Sequence, residues 1–201
     1  MVRRTKEEAQ ATRNRILDTA EMVFHEHGVS RTSLQDIAAA AGVTRGAIYW
    51  HFRDKGELFN AMMERVVLPL EGQAANDGDD PLAAMRQNFL AALRKTVADP
   101  QVRRVFEIAT HKVEYVDELR AVRERHLTSR DECLAQGERA LRQAARRGQV
   151  SLAIPARSAA LGLHALIDGL IKNWMLDPTA FDLVKVGRQV LDAYLAGIRR
   201  D

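Results

Sequence analysis

The stretch SRTSLQDIAAAAGVTRGAIYWHF, residues 30–52, decides the fold of this chain. Its first half is rich in Ala, and Thr32 or Ser33 can cap a short helix that is acidic in its first turn. Gly42 permits the tight turn that ends this helix. Thr44 is a second capping residue and starts another short helix, which runs to the end of the stretch. Two short helices joined in this way have the layout of a helix-turn-helix.

The second of these helices divides into a buried side and an outer side. Ile48 and Phe52 are four residues apart and therefore face inward together. The expected buried contact between the two helices consists of Ala38, Val43, Ile48 and Phe52. The outer side then carries Arg45, Tyr49, Trp50 and His51. In a helix-turn-helix, the second helix lies in the DNA major groove and presents its N-terminal side chains to base edges.

The chemistry of the outer side chains predicts how each would contact DNA. Arg45 lies near the helix start, where it can pair bidentately with guanine. Gly46 and Ala47 are small and let the helix approach the duplex closely. Tyr49 and His51 can donate hydrogen bonds to phosphate oxygens, which position a protein on DNA without reading its sequence.

Lys55 is expected to add a phosphate contact at the start of the next helix. Asp54 is the predicted cap of that helix, and Glu57 follows at the spacing of a capping box. The Lys55 charge would lie beside backbone N–H groups that suit a phosphate. The full predicted DNA-contacting set is Ser33, Thr44, Arg45, Gly46, Ala47, Tyr49, Trp50, His51 and Lys55.

Spacing alone leaves two alternatives open. Two short helices around a glycine turn also occur in many proteins that have no role on DNA. Trp50 could equally be a packing residue between the third and fourth helices.

The rest of the chain is rich in helix-forming residues and has no convincing alternating strand pattern, so it is predicted to be all-α. The first helix is expected at about 9–28. Further helices are expected at about 54–70, 81–98, 101–115, 117–147, 155–177 and 180–200. The segment EGQAANDGDDP, residues 71–81, is the clearest linker, with Asp80 and Pro81 as cap and first helical residue. The predicted domains are a helix-turn-helix domain over residues 1–56 and a helical domain over residues 57–201.

Composition narrows the class of protein. A net charge of +3 with a pI of about 9.2 is only a mild preference for polyanions. A single Cys excludes an intramolecular disulfide, and the N-terminal residues lack the apolar core of a signal peptide, so a cytoplasmic protein is expected. The most apolar segment, residues 159–176, contains His164, Asp168 and Lys172, which argues against a membrane span.

The last two predicted helices suggest dimerisation. The helix at about 157–176 is apolar over most of its circumference, whereas a helix that packs on one side needs only one apolar stripe. A second stripe follows on the last helix, formed by Leu183, Val186, Val190, Tyr194 and Ile198. Two such helices from each chain would build a four-helix interface around a twofold axis. The alternative is a monomeric bundle with a large core.

The segment from Thr12 to Phe59 closely resembles the DNA-binding domain of TetR-family transcriptional repressors. HKVEYVDEL, residues 111–119, and IDGLIKNWMLDPTAFDL, residues 167–183, are similar to the branch that regulates bacterial multidrug efflux pumps. This resemblance implies an all-helical homodimer with an N-terminal DNA-reading domain and a C-terminal ligand-binding and dimerisation domain. It also implies a repressor that leaves a palindromic operator when a small hydrophobic molecule, drug-like or aromatic, binds.

Family cavities lie between the helices of the second domain, and the resemblance places nine residues at the lining: Val66, Phe89, Leu93, Phe106, Thr110, Cys133, His164, Ile167 and Asp168. Most of them would be ordinary core residues in a protein without a cavity. Asp168 is more informative, because an unpaired carboxylate on the most apolar helix would be costly. It serves either a ligand or the dimer interface, where Lys172 or an Arg would pair with it.

No catalytic constellation is present, so no enzyme activity, metal or cofactor is expected. Cys133 lies outside any nucleophile motif, and His25 and His27 are two residues apart, which is not the spacing of a helical metal pair. The competing class is a helical small-ligand binding protein without a role on DNA.

Overall fold

The computed structural model describes residues 6–66, 80–114 and 116–199, and within these ranges it is helical and contains no strand. The elements are α1 Lys6–His27, α2 Leu34–Ala40, α3 Arg45–His51, α4 Lys55–Met63, α5 Pro81–Ala98, α6 Pro100–His111, a 3-10 turn Asp117–Leu119, α7 Arg120–Arg146, α8 Ala156–Leu176 and α9 Leu183–Gly197. The predicted all-α class is confirmed. The predicted linker lies outside the described residues except for Asp80 and Pro81.

Short-range capping bonds start several helices where the sequence predicts them. Ser33 Oγ accepts from the Asp36 N–H at 3.2 Å, and the Asp36 carboxylate accepts from the Ser33 N–H at 2.8 Å. Asp54 Oδ1 accepts from the Glu57 N–H at 2.8 Å. These bonds satisfy N–H groups that have no partner inside the helix, and they therefore fix where α2 and α4 begin.

Several predicted helices differ from the structure at their ends: the helix expected at 101–115 ends at His111, and the helix expected at 180–200 is Leu183–Gly197. The helix expected at 54–70 ends at Met63 within the described residues, and residues 67–70 lie outside them. The helix expected at 117–147 begins as the 3-10 turn before α7, where the Leu119 N–H donates to the Val116 carbonyl at 2.9 Å. Helix ends commonly tighten into 3-10 geometry, so the element itself is as predicted.

The described residues fall into two compact units. The first unit comprises the described residues of Met1–Val67 and Arg104–His126, and the second those of Leu68–Arg103 and Leu127–Asp201. In the first unit, the rings of Phe24 and Phe59 pack 6.1 Å apart between α1 and α4. Around this pair lie fully buried apolar residues from all four N-terminal helices: Ile16, Leu17, Ile37, Ile48, Phe52 and Leu58. Burial of these side chains is the main stabilisation of the unit.

The C-terminal part of α6 belongs to this first unit, and two polar contacts join it to α1. Arg104 Nε donates to Glu21 Oε1 at 2.6 Å, and the Glu21 side chain is almost fully buried. His25 Nε2 lies 3.2 Å from Glu107 Oε2 one turn further along. The two units therefore contain different residues from the predicted domains 1–56 and 57–201, since 104–126 belongs to the first unit. That domain division stays a prediction about which segment acts on DNA and which on a ligand.

In the second unit, α5 packs against α8 and α9, and α8 packs against α9. Gly187 lets α9 approach α5 closely, since a Cβ at this position would overlap Leu93 Cδ1. Arg86 of α5 makes a bidentate pair with Asp192 of α9, at 2.6 and 2.8 Å. The Arg86 guanidinium lowers the pKa of Asp192. These contacts fix α5, α8 and α9 as one packed layer.

We expect Ser33→Ala to lower the free energy of unfolding by about 1 kcal/mol, which is typical for the loss of an N-cap hydroxyl. Urea unfolding followed by circular dichroism measures the change. Ser158→Ala is the matched control, because Ser158 is an exposed serine in the first turn of α8 and does not cap it. Equal midpoints for the two variants would show that the Ser33 bond does not stabilise α2.

Candidate nucleic-acid interface

The turn between α2 and α3 fixes the orientation of α3. Gly42 has a φ of +62°, a conformation that residues with a Cβ adopt rarely, and the Val43 N–H donates to the Ala38 carbonyl at 3.0 Å. Thr44 Oγ1 then caps α3 by accepting from the Ala47 N–H at 3.2 Å. Because the Thr44 oxygen is the acceptor in this bond, its hydroxyl hydrogen can still be donated to a phosphate.

The predicted inner and outer sides of α3 are confirmed except at His51, which was expected on the outer side and is half-buried. Ile48 and Phe52 are fully buried, whereas the exposed fraction is 45% for Tyr49 and 73% for Trp50. Val43 was expected inside and is also only at an intermediate level of burial. At Gly46 a Cβ would meet no atom within 4 Å, so this face of the helix is open to a large partner. The predicted alternative, with Trp50 packed between the third and fourth helices, is wrong because its indole is mostly exposed.

The aromatic and basic side chains of α3 contact one another. The ring of Trp50 lies edge-on to His51 with centroids 4.6 Å apart. The Arg45 guanidinium lies over the Tyr49 ring, with Cζ 5.7 Å from the ring centroid. Stacking of this kind limits the side-chain motion of Arg45.

A residue that the sequence did not indicate also contacts Arg45. When the side-chain amide of Gln35 is oriented so that its oxygen and its nitrogen both have partners, Oε1 accepts from Arg45 Nε at 3.3 Å and from Nη1 at 3.2 Å. Gln35 is exposed in the first turn of α2. No local pattern marks it, because the contact depends on how the turn brings α2 against α3.

The Ser33 hydroxyl is already engaged within α2, since it donates to Asp36 Oδ2 at 2.7 Å. Hydrogen bonds from the Ser33 side chain and backbone lower the pKa of Asp36, so the carboxylate is ionised at neutral pH. This local bond is a structural role for Ser33, and its contact with DNA stays a prediction.

Lys55 does not present its charge as the sequence predicted. Its side chain is buried, with an exposed fraction of 5%, and Nζ donates to the Ser30 carbonyl at 3.2 Å. The expectation of an exposed ammonium at this position is therefore wrong in this structure. The aliphatic part of the Lys55 side chain packs inside, while its ammonium donates a hydrogen bond to the backbone that follows α1. Lysine side chains beside an apolar core commonly adopt this arrangement.

The nine predicted ligand residues are divided between the two units. Phe89, Leu93, Cys133, His164, Ile167 and Asp168 lie in the second unit, and Val66, Phe106 and Thr110 lie in the first. Leu93 and Ile167 are fully buried, and Thr110 Oγ1 donates to the Phe106 carbonyl at 2.8 Å. Burial raises the pKa of the Cys133 thiol to about 11, so it stays protonated at neutral pH and acts as an apolar lining or core group.

Asp168 is paired along its own helix. Its Oδ2 lies 2.7 Å from Lys172 Nζ, and the exposed fractions of the two side chains are 23% and 35%. Leu161 and Leu176 of the same helix are 52% and 72% exposed. These two leucines share one helix face with the Asp168–Lys172 pair, and exposed apolar side chains on such a face suit a surface that a second protein covers. This arrangement favours the dimer-interface alternative for Asp168 over a ligand contact.

The described residues contain no group of three or more His, Cys, Asp or Glu side chains that could hold a metal ion. Among the helices that the structure describes, none combines the length and apolar character that a membrane span requires.

Two family models match this chain. Residues 16–62 match "Bacterial regulatory proteins, tetR family", and residues 80–199 match "MAATS-type transcriptional repressor, C-terminal region". The first match contains α2, α3 and every residue of the exposed α3 surface. The second contains the α5, α8 and α9 layer.

Relatives match over nearly the whole length. The chain is 43% identical over 188 residues to the HTH-type transcriptional regulator TtgR of Pseudomonas putida, covering 92% of this chain and 90% of TtgR. It is similar to the crystal structure of NalD, described as the secondary repressor of the MexAB-OprM multidrug efflux pump in Pseudomonas aeruginosa, with a TM-score of 0.89, 37% identity and coverage of 98% and 100%. A solved complex of SmeT with triclosan gives a TM-score of 0.81 at 38% identity, covering 96% of this chain and 93% of SmeT.

Proposed function

This chain belongs to the TetR family of bacterial regulatory proteins, and we propose that it is a dimeric repressor of a multidrug efflux operon. It binds a palindromic operator and leaves it when a small hydrophobic molecule binds. The observation that carries the proposal is the exposed surface of α3, where Arg45, Tyr49 and Trp50 project from a helix that a capped glycine turn holds in place.

This surface supports the DNA part of the proposal by its chemistry. Arg45 provides the guanidinium fork that reads guanine in the major groove. Tyr49, Trp50, His51 and the Thr44 hydroxyl contact the phosphates and sugars beside it. Gly46 and Ala47 let the α3 backbone approach the base edges. Ser33 and the backbone N–H groups at the start of α4 are further proposed phosphate contacts, whereas the buried Lys55 side chain is not.

Dimerisation through α8 and α9 supports a palindromic operator. Two α3 helices related by a twofold axis read two half-sites about 34–36 Å apart along one face of the duplex. The exposed Leu161 and Leu176 are the apolar part of the proposed interface, and the Asp168–Lys172 pair is its polar part.

The relatives support a hydrophobic effector and an efflux target. NalD and SmeT are repressors of multidrug efflux pumps by description, and SmeT has been solved with triclosan. In this chain, Phe89, Leu93, Cys133 and Ile167 give the second unit an apolar lining, with His164 as a polar group on α8. A ligand bound there releases DNA only if it favours a shape in which the two α3 helices no longer match the groove spacing.

A gel shift with the DNA upstream of this protein's own gene tests the proposal, with unlabelled specific and random DNA as competitors. We expect a complex that only specific competitor removes, and that a panel of hydrophobic compounds including triclosan dissociates in part. Compounds that bind while no DNA is shifted would instead support a helical ligand-binding protein without a role on DNA. The proposal includes no enzymatic step and no cofactor.

We expect Asp168→Asn to weaken dimerisation by about 0.2–1 kcal/mol for each chain, because the substitution leaves the Lys172 ammonium without its intrahelical partner in the proposed interface. Sedimentation at several concentrations measures it, with Asp131→Asn on α7 as a control that removes an exposed carboxylate. If dimerisation were unchanged while the response to cationic compounds altered, Asp168 would be a ligand residue.

A further inference from the structure

Gln35 and Arg45 form a contact that joins the two helices of the helix-turn-helix. The Gln35 amide oxygen accepts from Arg45 Nε at 3.3 Å and Nη1 at 3.2 Å in the paired orientation. The same guanidinium lies 5.7 Å from the centroid of the Tyr49 ring. An amide from α2 and a ring from α3 therefore both hold an otherwise exposed arginine side chain.

We infer that Gln35 is a positioning residue, which holds the Arg45 guanidinium in the orientation from which it reads guanine. The inference rests on the proposed DNA-binding function. It adds a residue of α2 that determines specificity through Arg45 and does not itself touch the base.

The donor inventory of arginine permits this role. A guanidinium has five N–H hydrogens, and the two bonds to Gln35 leave three for guanine O6 and N7. Arg45 must lose rotamer freedom when it binds a base, and a side chain that is already held loses less. The contact therefore increases affinity for the correct base without adding a contact to DNA.

A neutral amide suits the position better than a carboxylate would. A Glu at position 35 would pair more strongly with Arg45, but its charge would compete with guanine for the guanidinium and would repel nearby phosphates. Glutamine supplies an acceptor without that charge. The place of Gln35 in α2 also fits, since the first helix of such a motif crosses the DNA backbone while the second enters the groove.

Gln35→Met tests the inference, because Met is similar in length and helix propensity but lacks the acceptor. The probe is the DNA sequence that wild-type protein enriches from a random library, and binding is measured at fixed salt. We expect the variant to bind this sequence about two- to twelvefold more weakly for each half-site that Arg45 reads, the range for ordering one long side chain. Affinity for random DNA and the salt dependence should not change. Gln87→Met, at an exposed site on α5, is the matched control.

A double-mutant cycle with Arg45→Ala separates positioning from direct reading. In the Arg45→Ala background, Gln35→Met should cause no further loss. Additive losses would overturn the inference, since Gln35 would then contact DNA itself, and an unchanged affinity in the single variant would overturn it too. If the wild-type protein enriches no sequence, both the proposed function and the inference are wrong. If it enriches a sequence normally but the two substitutions cause additive losses, only the inference is wrong.

Discussion

We expect Leu161→Arg to convert the proposed dimer into monomers and to lower operator affinity by about 10²–10⁴-fold, which is the gain that linking two binding modules provides. Leu161 is 52% exposed on α8, so the substitution should leave the fold of the chain intact. A charge buried without a partner in the apolar part of the interface opposes association. Each monomer would then bind only one half-site.

Sedimentation and gel shift on the same samples measure the two effects. Val97→Arg is the control, since Val97 is another exposed apolar residue of the second unit, with an exposed fraction of 42% on α5. It should stay dimeric and bind normally. A Leu161→Arg dimer with unchanged operator affinity would place the interface elsewhere.

Arg45→Ala should remove specific recognition at one base pair in each half-site. A bidentate pair with guanine contributes about 1–3 kcal/mol, so we expect a loss of about 5–150-fold for each contact. Binding to random DNA should change much less. Arg139→Ala removes the same charge from an exposed site on α7 and is the matched control.

Selection from a random library adds a second measure of the Arg45 contact. The wild-type consensus should contain a guanine that the Arg45→Ala consensus no longer requires, while the other positions stay the same. Equal affinity and an equal consensus for the two proteins would exclude Arg45 from the reading residues.

Local chemistry explains what the sequence predicted well. The caps at Ser33, Thr44 and Asp54 join atoms three residues apart, so the residue types alone indicate them. The inward direction of Ile48 and Phe52 follows from helical periodicity. The short helices and their exposed face were therefore predictable from the local sequence.

Contacts between distant segments were not predictable in the same way. Lys55 is buried because its ammonium finds the Ser30 carbonyl, 25 residues earlier. Arg104 joins α6 to α1 through Glu21, 83 residues away, and so places the second half of α6 with the helix-turn-helix. Gln35 contacts Arg45 only because of the turn at Gly42. Charge and periodicity do not encode such pairings.

The ligand residues illustrate a different limit. Leu93 and Ile167 are apolar and fully buried, and residues of this kind are expected both at the wall of a cavity and in a solid core. Only the family resemblance distinguished them, and they stay predictions. Asp168 was ambiguous for the same reason until its pairing with Lys172 and the two exposed leucines on the same face of α8 favoured the interface.

The most direct test of ligand-controlled repression is a thermodynamic cycle of four dissociation constants, all measured at one salt concentration. Two are for the operator, with and without a releasing compound from the panel, and two are for that compound, with and without the operator. Coupling between the sites predicts that the compound weakens operator binding, and that operator weakens compound binding by the same factor, about 5–150-fold. A compound that binds the second unit tightly yet leaves the operator constant unchanged, across the whole panel, would contradict the account.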